Sequence, residues 1–345
     1  MTEREGQSGQ PRPWSIRLYQ PGDEVQIVGL FQRVFGKERS LAHWRWKFMD
    51  NPEGAQICLA VTDTGEVIGQ YAGIPVRVMV DGQILTFSQS IDSMVDAGYR
   101  RGLKKPGVFA SLFERFADTY GGRDGVTILW GYTTPEALRI GRRLLGYLAL
   151  HRVVKLVRSV DSPARLSPWQ QMSEAWRRIQ CPIHPVRRFD AGIDRLWEQC
   201  RPELRVATIR DARYLNWRYA DCPDVQYRLL MAGGTMGTPP LGMAVLRLGW
   251  EGQPVACLVD WLVPWKNMAA AERLLQRSFE EAGLAGMKEL HAWFPPSSPW
   301  CRYLRDKGFQ SIETACMTVR QFTPTISLEL LNAHWYYTMG DSDHY

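Results

Sequence analysis

Residues 40–61 read SLAHWRWKFMDNPEGAQICLAV and lead into GEVIGQYAG at 65–73. Residues 210–232 read RDARYLNWRYADCPDVQYRLLMA and lead into PPLGMAVLR at 239–247. Trp44-Arg45 answers to Trp217-Arg218 and Gly69 to Gly242, both 173 positions later. Downstream, Asp92 in QSIDSMV answers to Asp260 in ACLVDWLV. Gly146-Tyr147 in RRLLGY answers to Gly308-Phe309 in LRDKGF. The order never inverts, and the spacing only shrinks as loops differ. Four landmarks in one order predict two copies of one domain fold.

The bulk properties allow this. A chain of 345 residues has room for two domains. A hydrophobic fraction of 45% and a charged fraction of 23% are those of a soluble globular protein. No apolar run approaches the ~20 residues of a membrane helix. The N-terminal MTEREGQSGQPRPW has no signal-peptide core, so a cytoplasmic location is expected. Seven scattered cysteines without a Cys-x-x-Cys pair argue against zinc and against a disulfide framework. No metal is expected. The net charge of +6 is mild for this length, and no basic stretch is interleaved with aromatics. Neither nucleic acid nor membrane is an expected partner.

Periodicity supplies the elements. Asp23–Gly36 has a helical apolar stripe (Val25, Val28, Phe31, Val34, Phe35), widened by Ile27 and Leu30, with Gly36 as its stop. Leu41–Phe48 is a second, aromatic-rich helix. Ile57–Thr62 and Val67–Ile74 read as strands around Asp63-Thr64-Gly65, and Val76–Val80 and Ile84–Phe87 as a hairpin around Asp81-Gly82. Ser88–Val95 is a strand, Val108–Tyr120 a helix, Val126–Gly131 a strand and Pro135–Leu145 a helix starting at proline. The succession repeats from near Phe189. The expected class is α+β: two tandem domains, each a mixed, mostly antiparallel sheet flanked by helices. The expected boundaries are a disordered leader at 1–14, a first domain at 15–157, a connector at 158–188, a second domain at 189–325 and an aromatic, acidic tail at 326–345.

The chemistry-bearing stretch is YRRGLKKPGVF, Tyr99 to Phe109. A strand running through a glycine turn into a helix N-terminus presents free N–H groups and the helix dipole to an anion. Gly102 and Gly107 let a ligand approach the backbone, and Arg101, Lys104 and Lys105 add charge suited to phosphates. The bland alternative is a solvated basic loop.

SIDSMVDAGYRRGLKKPGVFASLFERF (90–116) resembles the acyl-CoA pyrophosphate segment of the GNAT superfamily of N-acetyltransferases. WGYTTPEALRIGRRLLGY (130–147) resembles that superfamily's closing segment, a helix ending in Leu-Gly-aromatic. The Trp-Arg-Trp helix and the C-terminal aromatic–Asp tail are similar to tandem-domain bacterial members. The resemblance implies two GNAT-like domains and acetyl-CoA, or another acyl-CoA, as co-substrate. It implies cofactor contacts at Met94, Val95, Arg101, Gly102, Lys104, Lys105, Gly107, Val108 and Phe109, with a main-chain donor to the acyl carbonyl near Met94. The turn departs from the family's Arg/Gln-x-x-Gly-x-Gly/Ala pattern: it is longer and contains Pro106, which has no N–H. The tyrosine acid that many members carry five positions before the final aromatic is replaced by Arg142. The second copy's turn, VPWKNMAAAERLL, has no glycine and one lysine, so its cofactor site is expected to be degenerate.

Direct transfer to an amine needs a base and a carbonyl donor. Asp92 is the candidate base, set against a structural role because Asp260 repeats it. Tyr132 is the candidate acid, set against an aromatic plug. Asp341 and Asp343 in the tail are candidate carboxylates for a cationic amine, set against a plain C-terminal strap. Trp261, Trp265, Trp293 and Trp300 gather near the second copy's equivalent cleft and suggest either a sugar-binding floor or core filling. The favoured reading is an acyl-CoA-dependent N-acyltransferase acting on a small-molecule amine or amino-sugar, with a homodimer open. The alternatives are a non-catalytic binding or scaffold protein with decayed cofactor sites, and a tandem aminoacyl transferase using charged tRNA.

Overall fold

The computed structural model describes residues 13–100, 106–160, 176, 178–234 and 238–343. The first copy runs β1 (Trp14–Leu18), α1 (Glu24–Phe35), α2 (Leu41–Phe48), β2 (Gln56–Thr62), β3 (Val67–Val80) and β4 (Gln83–Val95). It continues with α3 (Val108–Tyr120), β5 (Val126–Thr133), α4 (Pro135–Leu145) and β6 (Leu148–Ser159). The second copy runs β7 (Ile183–Val186), α5 (Ala191–Cys200), the short β8 (Val206–Thr208), and α6 (Ala212–Leu215) extended by a π turn, Asn216–Ala220. It continues with β9 (Tyr227–Gly233), β10 (Pro240–Trp250), β11 (Gln253–Leu262), α7 (Met268–Leu284), β12 (Glu289–Trp293), α8 (Pro299–Asp306) and β13 (Gln310–Gln321). α9 (Leu328–His334) and β14 (Trp335–Tyr336) follow.

The strands form one sheet in the order β1-β2-β3-β4-β5-β13-β6-β12-β11-β10-β9-β7. Its centre is an exchange. β13, the last strand of the second copy, lies antiparallel between β5 and β6 of the first, and β6 in turn pairs with β12. Each copy's final strand therefore completes the other copy's sheet. The two halves are related by approximate two-fold symmetry about the β13–β6 pair.

Side chains reveal the same relation. Trp46 Nε1 donates to Trp217 O (2.6 Å) and Trp217 Nε1 donates to Trp46 O (2.8 Å), a reciprocal buried pair 171 residues apart. That separation also links the helix caps Ser40 and Asp211, each accepting from the backbone N–H three residues on, and the arginines Arg39 and Arg210. Structurally, then, Trp217 is the counterpart of Trp46, not of Trp44. The register slips by two at the β9–β10 turn, which is two residues longer than the β2–β3 turn. After it, Gly69 and Gly242 match as the sequence predicts, for a common reason. A Cβ on Gly69 would meet Leu112 at 3.0 Å, and one on Gly242 would meet Val263 at 2.9 Å and Leu274 at 3.1 Å. Each glycine lets a helix, α3 or α7, lie close on the sheet.

Two expectations change in detail. The strand pieces on either side of Pro75 are one continuous strand, β3, and the pieces on either side of Ser88 are one strand, β4. Pro75 is tolerated because β2 pairs with β3 only as far as Gly73. The proline's missing N–H faces that unpaired side, where Asn51 Nδ2 donates to Pro75 O (3.2 Å). In α1 the buried stripe is Ile27, Leu30 and Phe31, whereas Val25 is exposed. Gly36 ends the helix in the left-handed region (φ 66°), as its position suggests. α3 packs Val108, Leu112, Phe113 and Phe116 on one face of the sheet, against Tyr71, Val95 and Leu129. α1 and α2 cover the opposite face with Trp44, Trp46 and Phe48.

Candidate functional site: a strand cleft between the two halves

β4 and β5 pair in parallel only from Thr86–Val126 to Gln89–Trp130. Beyond that rung β5 turns to β13 and β4 stays with β3, so a cleft opens along Ser90–Val95. Asp96 N–H donates to Ile68 O on β3 (2.8 Å). The alternation of a strand then aims the Val95 main chain at the cleft, where its carbonyl accepts Arg100 Nε (2.9 Å) and its N–H faces the opening. Met94, one residue earlier, faces β3 opposite Gln70. At the mouth stands the N-terminus of α3. Gly107 caps it in extended conformation with no side-chain hydrogen bond, and a Cβ built there meets nothing within 4 Å. Open backbone amides beside an unpaired strand edge fit an acyl-pantetheine chain and its phosphates. Val108 and Phe109 begin that helix. Arg101, Gly102, Lys104 and Lys105 lie outside the described residues.

On the α3 side of the cleft, Ser90 Oγ donates to the Tyr71 hydroxyl (2.9 Å), and the Tyr71 and Tyr147 hydroxyls are in contact. Burial pushes both phenols up, so both remain protonated donors at neutral pH.

The opposite face carries a pocket made by both halves and the tail. His43, Trp46, Gln89 and Trp130 of the first copy face Tyr214 and Arg218 of the second, with Asp341 and Asp343 beside them. Gln89 and Trp130 are the last rung before the cleft, so pocket and cleft meet through the sheet. His43 Nδ1 lies 2.8 Å from Asp224 Oδ2, which leaves Nε2 for a ligand. Burial, then the Lys47 and Arg39 charges, lower the His43 pKa to about 4, so the ring is neutral at pH 7 despite Asp224. The composition of the chain gave no signal for this pair: the residues are 181 apart, and only the exchange of strands brings them together.

Asp92 lies at a β-bulge with φ 47°, a conformation few non-glycine residues adopt. Its carboxylate is held by Arg39 through both oxygens, and Lys47 Nζ is 3.7 Å away. Asp260 repeats the pattern with Arg210 Nε (2.8 Å) and the Tyr219 hydroxyl (2.8 Å). Matching arginine–aspartate pairs in both halves are an inheritance of the fold. Arg210 is fully buried and also donates to Asp341 Oδ2 (2.6 Å). Asp343 meets Lys47 Nζ (3.3 Å). The tail therefore ties to one buried cation of each half. The Asp341 Oδ1 atom is buried with no hydrogen-bond partner, as is the Tyr132 hydroxyl. Tyr132 lies on the same face of β5 as Trp130 and packs on Trp293 (5.3 Å); burial and then Asp341 raise its pKa well above 10. Among the described residues, no group of three His, Cys, Asp or Glu side chains could hold a metal ion, and no helix is long and apolar enough to cross a membrane.

Residues 15–143 match the family model described as an acetyltransferase (GNAT) domain. Among solved structures, a GCN5-related N-acetyltransferase from Anabaena variabilis ATCC 29413 is similar, with a TM-score of 0.63 at 11% identity over 90% of this chain and 73% of its own. A GCN5-related N-acetyltransferase from Kribbella flavida gives 0.58 at 14%, over 90% and 71%. N-myristoyltransferase from Saccharomyces cerevisiae, with bound myristoyl-CoA, gives 0.56 at 10%, over 89% and 79%. Among curated proteins no sequence matches the chain. The family's chemistry is acyl transfer, and the duplicated topology extends the fold through the second half. The family match is confined to residues 15–143, an acetyltransferase (GNAT) domain, and the likeness to the solved structures shows a shared fold over about 90% of the chain.

Proposed function

We propose that the protein is an acyl-CoA-dependent N-acyltransferase, with acetyl-CoA the first donor to test and a primary amine of a small molecule or amino-sugar as acceptor. The observation that carries this reading is the cleft itself. β4 and β5 part after Gln89–Trp130, beside an uncapped helix N-terminus on one face and a polar pocket on the other. Bound in the cleft, the thioester would supply an activated acyl group, so positioning does much of the work. Gly107, Val108 and Phe109 would take the phosphates, together with Arg101, Gly102, Lys104 and Lys105. The Met94–Val95 main chain would direct the acyl carbonyl, the Val95 N–H being the donor turned toward it.

The acceptor would enter from the face shared with the second half. There the orphaned Asp341 Oδ1 offers an anchor for an ammonium group, and His43 Nε2, oriented by Asp224, offers a proton acceptor. Asp92 would position Arg39 and Lys47 around this pocket, because its own oxygens are occupied. A proton for the departing sulfur would come from the Ser90–Tyr71–Tyr147 hydroxyls. Tyr132 faces the tail, and its hydroxyl would contact the acceptor or a water beside Asp341.

The test is calorimetric titration with acetyl-CoA, followed by thiol release with a panel of primary amines. Binding at one site per chain, weakened by Gly107→Trp, supports the reading. Absence of any CoA binding would sink it and would favour a scaffold role. Salt-dependent binding of tRNA would point instead to an aminoacyl donor.

A further inference from the structure

The second half has a cleft at the place that corresponds to the first, and it has been rebuilt. β11 and β12 pair in parallel up to Leu258–Ala292 and then part. Leu262 and Val263 stand where Met94 and Val95 stand in the first half. Here the opening is a cavity of about 350 Å³ whose walls include Leu262, Val263, Trp265, Pro299, Trp300 and Tyr336. Apolar cavities of roughly 150 Å³ already hold a benzene ring, so this one accommodates a substituted ring. Its glycine turn is gone, and Pro264-Trp265 takes its place.

Three features define the ligand. First, Trp265 is 43% exposed, large for a tryptophan, and is braced edge-on by Trp300 at 5.7 Å and 70°. Its backbone N–H is fixed to Glu203 Oε2 (2.7 Å). A tryptophan held in place with its ring at the mouth is a stacking surface. Second, the charges around the cavity are engaged. Arg205 is bound through Nε and Nη2 to Asp81 (2.8 and 2.9 Å), and Glu203 holds the Trp265 backbone. The lining arginine is thus paired, and one oxygen of the Glu203 carboxylate is committed to the Trp265 main chain. Third, the polar edge is hydroxyl and imidazole: Ser297 and His334 line the rim. Tyr336 of the tail lines the cavity and donates to Trp261 O (2.6 Å), so that carbonyl is not free to receive an extended chain.

From these features we infer that the second half is a binding site for a small uncharged ring stacked on Trp265, separate from the acyl-CoA cleft. The ring is an aromatic nucleus or the apolar face of a sugar; both share the flat, uncharged face that the site requires. The inference does not rest on acyl transfer. Its test uses binding alone.

Full-length protein is titrated with indole and, separately, with methyl β-D-glucopyranoside, following tryptophan fluorescence and heat, with and without saturating acetyl-CoA. One probe should bind one per chain with Kd below about 1 mM, unaffected by acetyl-CoA. The probe that binds identifies the ring type. Trp265→Ala should weaken it about tenfold or more. Ala333→Trp, at an exposed position on the cavity wall, should block it without lowering the melting temperature. The inference is overturned if neither probe saturates by about 20 mM, if both variants bind as the parent does, or if acetyl-CoA competes.

Discussion

The β4–β5 cleft and the β11–β12 cleft start from the same backbone and end as different sites. In both, two parallel strands part beside a helix packed over a glycine, Gly69 or Gly242. The first leaves Gly107 and the α3 amides open at its mouth. The second puts Trp265 at the mouth and Tyr336 of the tail in the lining, where it occupies the Trp261 carbonyl. Strand geometry is thus kept by the core, while the surface offered to a ligand differs through a few residues at the turn. A glycine turn suits an anion because it exposes N–H groups; a tryptophan turn suits an uncharged ring because it exposes a π-face.

The two ion pairs invite the strongest test of that comparison. Arg210 is wholly buried between Asp260 and Asp341, whereas the Arg39 side chain is 12% exposed beside Asp92. Arg210→Ala strands two buried carboxylates and should cost about 3–5 kcal/mol in urea unfolding. Arg39→Ala should cost visibly less, because Lys47 remains near Asp92. Equal losses would mean that the tail does not depend on the second half's cation.

Acid should act next. Folded His43 titrates at about 4, below the unfolded value of 6.5. As pH falls through that window the unfolded chain takes up a proton that the folded ring refuses, so stability declines from pH 7 toward 4.5. The loss from this group is about 2 kcal/mol. Urea midpoints at the two pH values should show a smaller difference in His43→Gln than in the parent. His151 and His291, also lowered by burial, contribute a background common to both proteins.

The clefts themselves are compared by Gly107→Trp and Asn267→Trp, at matching helix N-termini. The first should reduce acetyl-CoA affinity about tenfold or more, near 1.4 kcal/mol, and the second should leave it unchanged. The smallest effect is expected at the helix caps. Ser40→Ala should cost about 1 kcal/mol. Asp211→Ala should cost somewhat more, since Asp211 also pairs with Arg77. Thermal unfolding of the two variants side by side reads the difference.

Much of the fold was legible because it is written locally. Helix period, turn glycines and the order of matched landmarks are properties of short segments, and they determined the duplication, the mixed sheet and the start of α3 at Val108. Met94, Val95, Gly107, Val108 and Phe109 could be named as candidates because one strand, one turn and one helix are contiguous in sequence. Even there, two residues of register escaped: a tryptophan–arginine pair looks alike at either alignment, and only the reciprocal Trp46–Trp217 hydrogen bonds distinguish them.

What the chain order does not encode is which strand neighbours which. Placing β13 between β5 and β6 depends on burying apolar faces that each half leaves uncovered, a property of the whole sheet. That exchange sets Asp224 against His43, Asp341 against Arg210 and Asp343 against Lys47, across 181, 131 and 296 residues. The strand, turn and helix that frame the cleft were therefore readable in the sequence, but the pocket facing it was decided by tertiary structure, because its charges come from segments that meet only when both halves are folded together.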